Sequence, residues 1–157
     1  MSHSSPETGA PAPGFTLPAD GEKTVSLSDF AGKTVVLYFY PKDDTPGCTK
    51  EAIGFSEQLE AFEAAGAVVI GASKDPVKKH DKFVAKHGLK VTLVSDEESD
   101  LCERYGVWVE KNMYGKKYMG IERSTFLIDG DGVLRQAWRK VKVPGHVDAV
   151  LQAVTEL

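Results

Sequence analysis

The seven residues 34–40 (Thr-Val-Val-Leu-Tyr-Phe-Tyr) form a nearly continuous apolar run rich in β-branched and aromatic side chains. Such a run is typical of a strand that is covered on both faces, as the strands of parallel sheets are. Four apolar residues then recur at spacings of three and four: Ala52, Phe55, Leu59 and Phe62. This stripe predicts a helix that ends at Gly66. Parallel strands need helical crossovers, so the run constrains the chain to an α/β architecture.

The alternation of strand and helix patterns continues along the chain. Further strands are predicted at residues 67–73, 91–94, 124–128 and 133–138, the last two joined as a hairpin by Asp-Gly-Asp-Gly at 129–132. Three further helices are predicted. The first runs from an N-cap at Asp75 to His87, the second is opened by a capping box at residues 95–98, and the third covers residues 147–154. Residues 107–121, rich in lysine and glycine, predict a long irregular segment with a turn at 114–115.

The resulting order is βαβαβα, then a hairpin, then a helix, and short strand-like pieces precede it at residues 15–17 and 24–27. The crossovers require parallel pairing, whereas the hairpin is antiparallel. We therefore predict a mixed central β-sheet flanked by helices on both faces. This layout resembles the thioredoxin-like class, with an N-terminal strand extension.

Composition excludes several classes of protein. The net charge of -4 and pI near 5.6 argue against nucleic acid as a principal partner. No apolar run approaches the ~20 residues that cross a bilayer, and the N-terminus lacks the apolar segment of a secretory signal. Two cysteines in such a chain indicate a reducing compartment, which we take to be the cytoplasm.

The segment that follows the first long strand places Cys48 at the predicted start of a helix. Backbone N–H groups are unpaired there, and the helix dipole favours a thiolate. Pro41 stiffens the loop, Gly47 allows close approach to the backbone, and the hydroxyl of Thr45 can turn back toward the sulfur. From these features alone, a reactive thiol and an inert buried cysteine both remain open.

The order of residues in this segment resembles a known motif. Pro-x-x-x-Thr-x-x-Cys, filled here by Pro41, Thr45 and Cys48, is similar to the active-site motif of peroxiredoxins. Thr-Pro-Gly-Cys-Thr at 45–49 resembles the bacterioferritin-comigratory, or PrxQ, subfamily, as do residues 95–97, 105–108 and 123–129. The resemblance covers one domain, residues 13–157. Residues 1–12, rich in Ser, Pro, Gly and Ala, are expected to form a mobile tail.

The resemblance implies an enzyme that reduces hydrogen peroxide and organic hydroperoxides without a metal or organic cofactor. It makes Cys48 the peroxidatic cysteine, Thr45 the hydroxyl that contacts peroxide and Pro41 the residue that shields the pocket. Arg123 would approach the thiolate from a neighbouring strand, although its spacing alone would leave it a solvated strand-edge residue. A non-enzymatic redox sensor or holdase that uses Cys48 oxidation is the alternative.

A peroxidatic cysteine becomes a sulfenic acid, which a second thiol must resolve. Many members of the subfamily carry that thiol five residues later, where this chain has Ile53. The other thiol is Cys102, next to Leu101 on an apolar face, and we expect it to be a buried core residue. We therefore predict a one-cysteine cycle with thioredoxin, glutaredoxin or a small thiol as reductant. A Cys48–Cys102 disulfide, which requires local unfolding, is the alternative.

Two further expectations concern assembly and metals. No cysteine follows Cys102, so a disulfide-linked dimer is not expected and we predict a monomer. His80 and His87 lie two turns apart on one predicted helix, too far for a shared metal, and we expect both to be partly packed.

Overall fold

The computed structural model describes residues 6–157, and residues 1–5 of the predicted tail lie outside that range. The strands are β1 (Thr16–Ala19), β2 (Lys23–Ser26), β3 (Thr34–Phe39), β4 (Ala67–Ser73), β5 (Thr92–Ser95), β6 (Trp108–Met113), β7 (Lys116–Ile121), β8 (Ser124–Ile128) and β9 (Leu134–Trp138). The helices are α1 (Pro46–Glu57), α2 (Leu59–Ala64), α3 (Val77–His87), α4 (Leu101–Arg104) and α5 (His146–Thr155). Short 3-10 turns cover Asp20–Glu22 and Leu27–Phe30.

Seven strands form one sheet in the order β2-β1-β5-β4-β3-β8-β9. The pairs β3–β4 and β4–β5 are parallel, as the helical crossovers require, and the remaining pairs are antiparallel. The predicted mixed sheet with an N-terminal strand extension is therefore confirmed. The apolar run that constrains the fold is β3, which has strands on both sides.

The two faces of β3 belong to different cores. Val35, Leu37 and Phe39 point into a cluster that contains Cys102, and we call this side of the sheet the Cys102 face. Val36 and Tyr38 point into a cluster that contains Cys48, which defines the Cys48 face. Buried side chains of α1, α2, α3 and α5 pack on the Cys48 face, whereas the short α4 packs on the Cys102 face. Helices cover both faces, as predicted, but unequally.

The prediction of an irregular segment at residues 107–121 is wrong. β6 and β7 form a separate antiparallel hairpin with its turn at residues 114–115. Most side chains of the hairpin are exposed, so it lacks the apolar alternation that identifies a half-buried strand. Cross-strand backbone pairing, which leaves no mark in the hydrophobic pattern, holds the two strands together.

Three local predictions about helices also need correction. The helix expected to run to Gly66 is divided at Gln58, whose ψ of 5° leaves the helical region. The capping box does not open a helix at residues 95–98; α4 begins at Leu101, and the carboxylate of Asp96 accepts the N–H groups of Leu101 and Cys102. Asp75 does not cap α3, because its carboxylate instead accepts the N–H of Asp43.

The predicted tail is attached to the domain before residue 13. Gly9 and Ala12 donate backbone hydrogen bonds to the carbonyls of Leu134 and Gly132, and Leu134 donates to Ala10. These bonds extend the edge of the sheet beyond β9, so residues 9–12 are not free. Within residues 6–157, no helix is long and apolar enough to cross a bilayer.

Candidate active site

Cys48 lies in the first turn of α1, where the chain leaves the carboxyl end of β3. Thr45 is the N-cap residue in extended conformation, and Pro46 begins the helix, a position that suits proline because its ring restricts φ to a helical value. The Thr45 hydroxyl donates to the carbonyl of Lys42 and does not cap the helix. The first-turn N–H groups are therefore not occupied by a capping side chain, and the side chain of Cys48 is only 2% exposed.

The sheet register brings Arg123 to this thiol from 75 residues away in sequence. Phe39, the last residue of β3, pairs with Ser124, the first residue of β8. Arg123 therefore lies beside the start of the loop, residues 40–45, that leads from β3 to Cys48. Its Nη2 donates to Cys48 Sγ at 3.2 Å. A guanidinium cannot accept a proton from the thiol, so this contact favours the thiolate.

Glu51 holds the other arm of the same guanidinium. Arg123 Nη1 donates to Glu51 Oε1 at 2.6 Å, while Glu51 Oε2 has no hydrogen-bond partner among the described residues. Burial raises the pKa of Glu51 to about 7, although the Arg123 charge opposes this shift. We assigned no role to Glu51 from the sequence. A pattern in the sequence could have identified it: this carboxylate interrupts the apolar face that Cys48, Ala52 and Phe55 form on α1.

A buried histidine lies behind the guanidinium. His146 packs edge-on against Phe55 and Trp138, and its Nε2 lies 2.8 Å from Thr125 Oγ1. Burial and the Arg123 charge lower the pKa of His146 to about 4, so the imidazole is neutral at pH 7. Arg123 is therefore the cation in direct contact with the sulfur, and His146 adds no second charge.

The hairpin β6–β7 adds a cation near the same site. Burial and the positive charge of Arg123 lower the pKa of Lys111, and the sulfur of Cys48 partly offsets the effect. The stem of Lys111 lies against Gly120 on the opposite strand: a Cβ built there would be 3.1 Å from its Cδ. We did not identify Lys111 as a site residue from the sequence, because its segment was predicted to be irregular. Gly47 is similarly close to the site, and a Cβ there would lie 3.2 Å from Arg123 Nη2.

The remaining predicted site residues differ in their burial and in their position relative to the sulfur of Cys48. Pro41 is exposed at the start of the loop, and Thr45 is half-buried three residues before Cys48. Cys102 is fully buried on the opposite face of the sheet, as expected for a core thiol. Burial and the neighbouring Asp96 carboxylate raise the pKa of the Cys102 thiol. The fold therefore brings Arg123 and Cys48 together and keeps Cys102 apart from them.

Known proteins share this arrangement of sequence and fold. Residues 8–137 match the AhpC/TSA family. The peroxiredoxin Bcp of Bacillus subtilis is 52% identical over 151 residues, which cover 96% of each chain. A PrxQ from Xylella fastidiosa superposes with a TM-score of 0.93 at 43% identity, covering 98% of each chain.

A third similar protein is the bacterioferritin comigratory protein of Xanthomonas campestris. Its structure, described in a study of alkyl peroxide reduction by that protein, has a TM-score of 0.86 at 51% identity over 90% of each chain. The family match covers more than half of the chain, and the relatives are matched over nearly their whole length. The chain belongs to the AhpC/TSA family and is a peroxiredoxin of the Bcp/PrxQ type, a thiol-dependent peroxidase.

Proposed function

We propose that Cys48 is the peroxidatic cysteine and that Arg123, Thr45 and Pro41 complete the peroxide pocket. The observation that carries this assignment is the 3.2 Å hydrogen bond from Arg123 Nη2 to Cys48 Sγ. Among the described residues, no cation donates a hydrogen bond to the sulfur of Cys102, the other thiol of the chain. The guanidinium stabilises the thiolate, and thiolates are the reactive form of cysteine.

The thiolate attacks one oxygen of the peroxide, an S–O bond forms and the O–O bond breaks. The sulfur is oxidised to a sulfenic acid, and the other oxygen leaves as hydroxide or alkoxide and takes up a proton. Negative charge thus moves from sulfur to the leaving oxygen. Donors fixed along this path lower the barrier: the Arg123 guanidinium, the first-turn N–H groups of α1 and, after it turns away from Lys42, the Thr45 hydroxyl.

We propose hydrogen peroxide and organic hydroperoxides as substrates. The alkyl peroxide reduction described for the Xanthomonas relative supports the second class. Burial of Cys48 in an apolar cluster supports it too, because an alkyl group near the sulfur would meet side chains rather than water.

We propose that an external thiol completes the cycle. That thiol attacks the sulfenic sulfur and releases water, and a second thiol then reduces the mixed disulfide and restores the Cys48 thiol. Ile53 offers no thiol within α1, and the whole sheet separates Cys102 from Cys48. The raised pKa of the Cys102 thiol also makes it a poor nucleophile. Thioredoxin, glutaredoxin or a small thiol are the proposed reductants of this enzyme, which we propose to be monomeric and cytoplasmic.

Peptide mapping after one equivalent of peroxide tests this cycle. We expect a sulfenic acid at Cys48, trapped by dimedone, and a free thiol at Cys102. A linked Cys48–Cys102 peptide would overturn the one-cysteine cycle. Peroxide consumption in the presence of a dithiol should continue over many turnovers, whereas a redox sensor would stop after a single oxidation of Cys48.

A further inference from the structure

A fully buried histidine lies beneath the loop that leads to Cys48, and the peroxidase chemistry does not use it. His80 is 0% exposed, so the expectation of a partly packed residue is wrong. Its Nδ1 lies 2.7 Å from Asp43 Oδ2, and its Nε2 lies 2.9 Å from the carbonyl oxygen of Val94. A carbonyl and a carboxylate both accept hydrogen bonds, so both ring nitrogens donate and His80 is an imidazolium.

The charge of this histidine is compensated within the protein. Burial by itself lowers the pKa of His80, but the hydrogen bond and the charge of Asp43 outweigh burial, and the pKa is raised. Removing one partner of a buried ion pair strongly destabilises a protein, because the other charge is then left buried without a partner. The loop that carries Asp43 is therefore firmly joined to α3, the helix that carries His80.

Asp43 is the one buried residue between Pro41 and Pro46, whereas Lys42 and Asp44 on either side are exposed. Its Oδ1 accepts the hydroxyl of Tyr40 at 2.6 Å, and its N–H donates to Asp75 at 2.8 Å. These contacts fix the backbone two residues before Thr45.

The same contacts bear on the donors around the sulfur. The Thr45 hydroxyl donates to the Lys42 carbonyl, so its position depends on the part of the loop that Asp43 anchors. Cys48 follows in the first turn of α1. Contacts that fix this short connection therefore fix both the hydroxyl and the first-turn N–H groups relative to Cys48.

We propose that the Asp43–His80 pair is a positioning device for peroxide reduction: it holds the loop that carries Thr45 and leads into the first turn of α1 in the form that reacts with peroxide. The proposal rests on the assignment of Cys48 as the peroxidatic cysteine. The pair should favour the reaction with peroxide and should not favour the reaction with reductant, because Cys48 is buried and a thiol reaches its sulfenic acid only when the loop moves. His80 is thus a positioning residue and not a catalytic one.

Two substitutions of His80 separate its two hydrogen bonds. His80→Gln keeps a donor near the Val94 carbonyl and loses the donor to Asp43, whereas His80→Asn keeps a donor near Asp43. In single-turnover measurements we expect His80→Gln to slow the reaction of Cys48 with peroxide by about tenfold or more, since small displacements of catalytic groups are costly. The reaction of the sulfenic acid with glutathione should keep its rate or become faster. His80→Asn should recover most of the lost rate with peroxide.

Two controls keep the test decisive. His87→Gln removes a side chain that contacts the exposed Asp44 of the same loop, and it should leave both half-reactions unchanged. Tyr40→Phe removes only the hydroxyl that donates to Asp43, and it should show a weaker form of the same asymmetry if the His80 variants do not fold.

An equal loss in both half-reactions, or an unchanged reaction with peroxide in a folded His80→Gln protein, would overturn the positioning role. Cys48→Ser in the same assay tests the proposed function separately. If that variant still reduced peroxide, the assignment of Cys48 would fail whatever the His80 variants do.

Discussion

Cys48 and Cys102 are both buried, at 2% and 0% exposure, but they lie on opposite faces of the sheet and meet opposite charges. The sulfur of Cys48 accepts a hydrogen bond from the Arg123 guanidinium, which stabilises a thiolate. Burial raises the pKa of the Cys102 thiol, and the neighbouring carboxylate of Asp96 raises it further. The difference teaches that burial alone does not make a thiol inert. What separates the two sulfurs is the donor in contact: a guanidinium donates a hydrogen bond to Cys48, whereas an acidic neighbour adds to the effect of burial at Cys102.

The largest effect is expected when the sulfur of Cys48 is removed. Cys48→Ser should lower peroxide consumption by roughly a thousandfold or more, because loss of a catalytic nucleophile removes the covalent step itself. The measurement is peroxide consumption with a dithiol reductant. A Cys48→Ser protein with full turnover would end the distinction between the two cysteines.

Removing a cation from each face of the sheet provides the next test. Arg123→Met should lower the rate of Cys48 oxidation by roughly a hundredfold, the usual effect of losing one donor to developing charge. The matched control on the Cys102 face is Lys74→Met, which removes the ammonium paired with Asp96 at 3.3 Å. We expect that variant to lose stability and to keep its activity. Equal losses of activity in the two variants would show that Arg123 acts through the fold rather than on the sulfur.

The buried carboxyl beside Arg123 should give the Cys48 face a characteristic pH dependence. The pKa of Glu51 is about 7 in the folded protein against an ordinary 4.5, so folding binds its proton more tightly. Its contribution to stability is therefore present below about pH 4.5 and is lost as the pH rises toward 7, by about 3 kcal/mol in total. Denaturant unfolding of wild type and Glu51→Gln at several pH values measures the difference between them.

His146 provides a control for the direction in which stability changes with pH. The pKa of His146 is lowered from 6.5 to about 4, so its contribution is present above pH 6.5 and is lost as the pH falls to 4. The difference between wild type and His146→Gln should therefore change with pH in the opposite direction. If Glu51→Gln does not alter the pH dependence of stability, Glu51 is not a shifted carboxyl.

The smallest effect is expected at the other thiol. Cys102→Ala removes a buried sulfur from the Cys102 face and should cost about 1 kcal/mol of stability through the cavity it leaves. Peroxide turnover with an external thiol should stay at the wild-type rate. A loss of turnover that appears only in the reductive half-reaction would favour the Cys48–Cys102 disulfide over the one-cysteine cycle.

The parts of the molecule that the sequence predicts well are local or periodic. The apolar run of β3 and the stripe shared by α1 and α2 identify these elements because burial repeats at the spacing of a strand or a helix. The hairpin β6–β7 was missed since its exposed strands have no apolar period. The start of α4 was misplaced because the carboxylate of Asp96 reaches over to N–H groups five and six residues later.

The sequence by itself determined the α/β layout and placed Cys48 at a helix start, because both depend on short-range patterns and on a recognisable motif. The resemblance also implied that Arg123 approaches the thiolate, but only the tertiary structure decided the contact itself and added Glu51 on the other arm of the guanidinium. Arg123 reaches Cys48 through the register of β3 with β8, and His80 reaches Asp43 through the packing of α3. Arg123 and Cys48 are 75 positions apart in the sequence, and His80 and Asp43 are 37 positions apart. Contacts over such distances depend on how distant segments pair, and no local pattern of side chains records that pairing.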